Sequence, residues 1–416
     1  MENMNEHSTI HRTPILLCLL IGTGCLAQTP LWNNPCHPED RETYAVAFSA
    51  DGSKVLSGSE CDNAHVRIWE SATGNMTWDN DIGASLFCIV GVQLSASGTY
   101  FGVMEELGNV LVYDYTGAVP VLLHTIDLGI SASYSLDFSP DNTKLVADGS
   151  GGTLRVYDVA SGALVQSIPG NAGTVFTVDY NPAGTLIAAG SQDNNVRLWN
   201  TADGTLAATL TGHTNDITSV KFSATGNHLV TASRNGQIKL WMNMMGSWMQ
   251  HAAFTVPENV HQVDISDDEA YILIGGFAQT YVYEAMTGEQ VAIFNVPDGG
   301  GVWSVDLKPG SYDAVTGTSS GRVVYWALSE FLTVEEQGRI AFEVYPNPVT
   351  ERVTIQLPEG SGAGSLELFT ADGRMVRTAR LSGSREEVDL SDLAAGDYVL
   401  RVRTVKGAGI RSITKN

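Results

Sequence analysis

Positive charge is scarce in this chain: 23 Lys and Arg stand against 46 Asp and Glu in 416 residues, a formal net charge of −23. The deficit is local. Residues 28–338 hold 11 basic and 34 acidic side chains, whereas residues 339–416 are nearly balanced at 11 and 10. So acidic a surface repels phosphate backbones and sets nucleic acid aside as a partner. It serves solubility, or the attraction of cations and basic surfaces. Long apolar runs are missing as well. Ile15–Ile21 is seven residues long, too short to anchor in a bilayer but suited to the core of an export signal. Small residues at Cys25 and Ala27 place the cut before Gln28, making residues 1–27 a signal peptide and leaving no transmembrane anchor. Acylation of Cys25 is the competing reading, with Gly22 standing where an aliphatic residue is wanted. Enzyme signatures are absent too: there is no Gly-x-Ser-x-Gly elbow, His-Glu-x-x-His helix, Cys-x-x-Cys pair or phosphate loop. No cofactor is expected.

What the chain does have is a repeat. Aromatic residues recur at Trp69, Tyr113, Tyr157, Trp199, Trp241, Tyr283 and Trp326, in steps of 44, 44, 42, 42, 42 and 43 residues. About 20 residues upstream runs a second, anchor column: Phe48, Leu94, Phe138, Tyr180, Phe222, Ile265 and Leu307. A period near 40 marks a repeat array. The fourth copy is the clearest, with strands at Thr174–Tyr180, Thr185–Ser191, Val196–Trp199 and Thr205–Leu210 separated by Asn-Pro-Ala-Gly, Gln-Asp-Asn-Asn and Thr-Ala-Asp-Gly turns. Seven such units predict an all-β, seven-bladed β-propeller over residues 28–338, each blade stacked on its neighbours. Leu332–Glu336 or the stretch around Leu31-Trp32 supplies the outer strand of the last blade.

Thr209-Leu-Thr-Gly-His213, Asp216–Phe222, Thr231-Ala-Ser233 and Ile238-Lys-Leu-Trp241 together resemble a WD repeat. The resemblance covers about residues 43–328. It implies a tetrad of His213, Thr231 or Ser233, the turn residue and Trp241, with Trp69 and Trp199 as equivalent structural staples. The turn residue here is Asn235 rather than Asp. The Ser-x-Asp-x-Gly-x-x-Trp boxes of sialidase-type propellers are absent.

Export changes the reading of the five cysteines. Past the leader Cys36, Cys61 and Cys88 remain, an odd count. Cys36 precedes the first strand of the first repeat and Cys61 follows the second, so a hairpin brings them together as a Cys36–Cys61 disulfide. Cys88, in the apolar run Leu86–Val90, is then a buried thiol.

After residue 338 the period stops. Val353–Leu357, Ser365–Phe369, Glu387–Leu390 and Tyr398–Val402 alternate as strands, with turns at Ala371-Asp-Gly373 and Ala394-Ala-Gly396, predicting a small Ig-like β-sandwich over 339–416. Tyr345-Pro346-Asn347-Pro348, the Ala-Asp-Gly373-Arg turn, the run ending in Gly396-Asp-Tyr398 and the final Ile413-Thr-Lys-Asn416 resemble the type A C-terminal sorting domain of the type IX secretion system. The resemblance implies that secretion machinery as a partner. It also implies a destination outside, or on the outer-membrane surface of, a Gram-negative bacterium, reached through the periplasm.

Two columns could carry function. Four residues before the anchors lie Tyr44, Val90, Tyr134, Phe176, Thr218, His261 and Trp303. Five are aromatic or His, and they either converge on the channel mouth as a ligand site or, sharing parity with the Val and Phe columns, pack between blades. One residue before the anchors stand Ala47, Gln93, Asp137, Asp179, Lys221, Asp264 and Asp306. The four aspartates either form a cation-binding ring or cap the turns that follow them. Asp79-Asn-Asp81 resembles the opening of a calcium loop without the remainder. The expected function is a secreted or surface-attached, non-catalytic platform for a protein or glycan ligand. The alternatives are a lactonase-like or other hydrolase with an axial metal, and a structural surface component.

Overall fold

A computed structural model of the chain describes residues 17–18, 30–35, 42–59, 64–82, 88–117, 119–130, 132–148, 151–244, 246–296, 299–329, 332, 342–358, 360, 364–370, 375–404 and 407–416. Seven four-stranded antiparallel sheets follow one another as blades. Blade 1 spans 43–81, blade 2 89–127, blade 3 136–169, blade 4 175–210, blade 5 217–255, blade 6 260–295 and blade 7 302–326. In blade 4 the strands are Val175–Tyr180, Leu186–Ser191, Val196–Asn200 and Leu206–Leu210, each within a residue or so of its predicted span.

The recurring first turn explains itself chemically. Its serine hydroxyl accepts the first N–H of the second strand, as Lys54 to Ser49 at 2.9 Å, Lys144 to Ser139 at 2.9 Å and Tyr271 to Ser266 at 2.9 Å. Such a side chain fixes the hairpin without using a ladder position. The outer strands carry a second device. In blades 1 to 6, where the outer strand meets the repeating aromatic, the register slips by one residue, as between Val156 and Tyr157 or Leu198 and Trp199. Consecutive outer residues such as Leu164 and Val165 are then both exposed. Bulged edges of this kind resist pairing with a foreign strand.

Blades stack through apolar faces that in places meet backbone to side chain. A β-carbon on Gly58 would overlap Ile89 of the next blade, and one on Gly190 would overlap Ile217. Only glycine lets those second strands approach the next inner strand so closely. The same contact bears on the cysteines. Cys88, immediately before Ile89, is 6% exposed and disulfide-bonded, not the free thiol expected from its apolar run. Stacking of adjacent blades brings the end of the Lys54–Ser59 strand against the residue that follows Cys88. Hairpin geometry within one blade overlooked that neighbour. Cys36 and Cys61 lie outside the described residues.

Closure of the ring is settled by the N-terminal stretch. Trp32–Pro35 pairs antiparallel with Arg322–Trp326 as the outer strand of blade 7, Trp32 facing Tyr325. Leu332 instead packs beside Leu328 and Trp326, and residues 333–336 lie outside the described residues. Trp32 is 4% exposed, stacks on Tyr325 at 5.5 Å and Trp69 at 6.4 Å, and donates its indole N–H to the Ser71 carbonyl at 2.7 Å. The strand that closes blade 7 is therefore also packed on blade 1. Leu17–Cys18 pairs with the outer edge of blade 6; the rest of the expected leader lies outside the described residues.

The C-terminal module has its own core, including Phe342, Val353, Leu366, Leu368, Leu400 and Ile413. A three-stranded sheet (Glu343–Tyr345, Arg352–Gln356, Arg385–Asp389) accompanies a four-stranded one (Met375–Leu381, Gly364–Thr370, Gly396–Thr404, Gly407–Lys415). Met375–Leu381 and Gly407–Lys415 were not foreseen as strands. Replacing Trp32 with Ala removes a large buried aromatic at the closure and should cost about 3–5 kcal/mol of propeller stability. A chemical-denaturation midpoint equal to that of the parent protein would show that closure does not depend on this strand.

Candidate functional site

The inner strands line the axis with successive residues, and in six of them a register break falls at the first. The pairing of the first and second strands slips between Thr43 and Ala45, Ile89 and Gly91, Val175 and Thr177, Ile217 and Ser219, Val260 and Gln262, and Val302 and Ser304. The skipped residues are Tyr44, Val90, Phe176, Thr218, His261 and Trp303, six of the seven in the column four before the anchors. A bulged residue leaves the alternation of its strand and is re-aimed. Equal parity with the packed Val and Phe columns therefore misleads. In blade 3 the inner strand is shorter, Leu136–Phe138, and Asp148 takes over: both its carboxylate oxygens accept the Tyr134 N–H at 3.0 Å.

All seven residues of the column line one cavity of about 430 Å³. Tyr44 lies 5.3 Å from Trp303, and Trp303 4.3 Å from His261, between ring centroids. Across the opening Tyr134 meets Phe176 edge-on at 5.1 Å, with the Arg234 guanidinium 5.8 Å from the Phe176 ring. The Trp303 indole N–H is buried without a partner among the described residues. Burial, assisted by Arg234, pulls the His261 pKa down to about 4, so its imidazole is neutral near pH 7.

Below the aromatics the cavity reaches Gln93, Asp137, Asp179 and Lys221. Asp137, Asp179 and Asp264 are buried and Asp306 is half-buried. The four aspartates neither cap their own turns nor gather around an ion. Each reaches the next blade and accepts the N–H of its anchor residue: Tyr180 to Asp137 at 2.7 Å, Phe222 to Asp179 at 2.6 Å, Leu307 to Asp264 at 2.7 Å and Phe48 to Asp306 at 2.6 Å. The last of these spans the ring closure. A parallel belt two residues earlier was not anticipated: Val178 donates to Ser135, Val220 to Thr177, Val263 to Ser219 and Val305 to Gln262, at 3.1 to 3.3 Å. Among the described residues no group of three His, Cys, Asp or Glu is placed to hold a metal. Lys221 occupies the equivalent position in blade 5, its ammonium 3.6 Å from Asp179. Asp79 sits in a strand and engages His65 at 2.6 Å and Arg67 at 3.2 Å.

The electrostatics follow from burial. Desolvation raises Asp137 to about 6 and Asp179 to about 7, with Lys221 opposing it. Asp264 and Asp306 are raised for the same first reason, and a hydrogen bond joins the two carboxyls. Asp148, also desolvated, rises to about 7. Lys221 is raised, foremost by Asp179. The layer thus carries one fixed cation among four acids that hold protons well above the ordinary carboxylate range.

The tetrad implied for blade 5 is three-quarters present. Trp241 donates to Thr231 Oγ1 at 2.9 Å, and His213 Nε2 lies 2.7 Å from the same oxygen. Thr231, not Ser233, is the hydroxyl used. Asn235 turns away, accepting from Ser233 at 2.6 Å and donating to Thr214 at 2.9 Å. His213 Nδ1 is left buried with no partner among the described residues. Desolvation first, then Lys239, lowers the His213 pKa to about 4, which suits a neutral structural ring rather than a base. The staple recurs as Trp69 to Ser57 at 2.9 Å and Trp326 to Thr316 at 3.1 Å. Trp199 is the exception: its indole N–H is buried without a partner, and Ala189 stands where the hydroxyl should be.

In the C-terminal module the sorting residues form one structural unit with the last residues of the chain. Asn347, between Pro346 and Pro348, accepts the Thr414 N–H at 2.9 Å, and Lys415 donates to the Thr350 carbonyl at 2.7 Å. Tyr398 is buried and donates to the Ala394 carbonyl at 2.8 Å, while Gly396 opens its strand at φ 152°. Gly373 lies outside the described residues.

This is a β-propeller with a separate terminal sorting module. Family models match two parts of the chain. Residues 28–70, 123–158, 162–200 and 204–242 match the WD domain, G-beta repeat, and residues 343–416 match the secretion system C-terminal sorting domain. The chain carries WD repeats on its propeller and ends in a tail for type IX secretion, which makes it a secreted or cell-surface protein. No curated protein matches it. Among the described residues no helix is long and apolar enough to cross a membrane. The matched repeats begin one strand early, each taking the outer strand of the preceding blade. Repeat 1 therefore starts with Trp32–Pro35, which can only serve blade 7.

Two outcomes are expected. Between about pH 5 and 8 the folded state holds more protons on the axial acids than the unfolded chain, so stability falls as pH rises, by about 1–3 kcal/mol. Aspartates with lowered pKa, such as Asp51 and Asp141, lose their contribution only in stronger acid. Thermal melts across that range check the sign; a flat or rising profile would contradict it, and Asp179→Asn should flatten it. Separately, Ala189→Ser should give Trp199 its missing acceptor and add about 1 kcal/mol, read from the denaturation midpoint.

Proposed function

We propose that the propeller is a non-catalytic binding platform, exported after removal of an N-terminal signal peptide to the surface of a Gram-negative cell or beyond. Its ligand, a protein or a glycan, is taken at the mouth formed by Tyr44, Tyr134, Phe176, His261 and Trp303. One observation carries this reading: six inner strands break register at the same position, and every break turns its residue into the same 430 Å³ cavity. The coincidence sets one residue of each of these blades on the cavity wall, and Tyr134 of blade 3 joins them. Half-buried aromatic rings beside the polar tips of Tyr44, Tyr134 and His261 suit capture of a ligand that is part apolar and part polar. The groups a hydrolase would use are otherwise engaged: the carboxylates hold backbone N–H groups, and the one hydroxyl beside His213, that of Thr231, is buried and already bonded to Trp241.

The test is Trp303→Ala combined with Phe176→Ala in the full chain, followed by recovery of partners from culture surfaces. Binding should weaken by about tenfold or more, the loss of roughly 1.4 kcal/mol. Undiminished recovery by a folded double mutant would reduce the mouth to scaffold.

A further inference from the structure

We infer that the group entering the axial cavity is a cation, the lysine ammonium or arginine guanidinium of a protein partner. The inference rests on the platform reading and deepens it from the chemistry of the cavity's walls and floor.

The walls come first. Aromatic faces on both sides of the opening, Tyr44, Trp303 and His261 opposite Tyr134 and Phe176, offer the negative face of a ring to a positive guest. The cavity already holds such a contact, with Arg234 over Phe176 at 5.8 Å. Arg234 brings little net repulsion, because Asp216 lies 3.5 Å from its guanidinium. Three residues of extended strand separate the aromatic column from the acidic one, a depth of about 10 Å. That depth accepts a long, unbranched side chain and no folded surface.

The floor sets the sign. Asp137 and Asp179 line it directly, with Asp264 and Asp306 in the same layer, and only Lys221 compensates them. Glu106 adds an acid to the cavity lining and Asp148 another beside Tyr134. His261 stays neutral above about pH 5. Four carboxyls cannot all ionise around one ammonium, so the layer stores protons near neutrality. An entering cation favours the ionised acids and displaces protons. Affinity for it must therefore rise with pH across the range in which Asp137, Asp179 and Asp148 titrate.

Calorimetric titration of the full chain with alanine pentapeptides bearing one central lysine, arginine, glutamine or glutamate tests this. At about pH 8 the lysine and arginine peptides should bind about tenfold more tightly than the glutamine peptide, and most of that preference should vanish near pH 5.5. Asp179→Asn keeps an oxygen for the Phe222 N–H yet should make the pH dependence shallower, leaving the part that Asp137 and Asp148 carry. Lys221→Gln, which withdraws the built-in cation, should tighten lysine binding. Equal binding of the glutamine or glutamate peptide, or lysine binding that ignores pH, would overturn the cationic assignment. If the natural partner is still lost in the Trp303→Ala, Phe176→Ala variant, the platform stands and only the ligand class falls. If that partner is kept, the platform itself falls.

Discussion

A propeller must satisfy the inner edge of every blade, and this chain does it with side chains. The innermost strand of each sheet has a ladder on one side only; on the other its N–H groups face the axis with no strand to receive them. Buried and unpaired, each would cost about 1–3 kcal/mol. Asp137, Asp179, Asp264 and Asp306 take the anchor N–H of the following blade, and Ser135, Thr177, Ser219 and Gln262 take the N–H two residues earlier. Where the aspartate is missing the arrangement adjusts. Blade 5 offers Lys221 instead, and in blade 6 the Ile265 N–H turns to Asp264 Oδ1 of its own strand at 2.8 Å. Asp264 thus serves two anchors, one with each oxygen.

That solution concentrates acid on the axis, and the rest of the channel's physics follows. Carboxylates strong enough to tie the blades repel one another across a narrow, poorly solvated space. Lys221 relieves part of the repulsion, and protons held on the acids relieve more. A neutral acceptor such as Ser135 could bridge blades without this burden, as the parallel belt shows. The acidic belt is the one that leaves the channel floor negative.

Much of the shape was legible in the sequence because it rests on period. Seven aromatic marks at steps of 42 to 44 fix seven blades, and turn chemistry fixes strand ends to within a residue or so in blade 4. Closure was left open because a repeat defined by its third-strand aromatic hides its own phase. The matched repeats begin with an outer strand, and from that phase Trp32–Pro35 has only one blade to join. The aspartate column was visible, but its partners were not: a 43-residue reach becomes a bond only once neighbouring blades stand side by side. Cys88 misled for the same reason, since hairpin logic within a blade omits the next one. Asn235 marked the incomplete tetrad correctly, because a side-chain identity sufficed there.

At the mouth two readings of the sequence stood side by side. Parity counting alone puts Tyr44, Phe176, His261 and Trp303 on the same face as the packed valines, which is valid for an unbroken strand. A bulge inserts one residue and reverses that inference locally, and alternating apolar residues give no sign of it. Six bulges at equivalent places show that the displacement belongs to the repeat rather than to any one blade. It also separates two duties along a single short strand. The anchor, the acid and the hydroxyl before it are committed to blade contacts. The bulged residue is released from them, so Tyr, Val, Phe, Thr, His and Trp can all stand there while the scaffold keeps its spacing. Variation at that column reshapes the wall of the cavity, and the belts beneath it hold the ring regardless of which side chain is chosen.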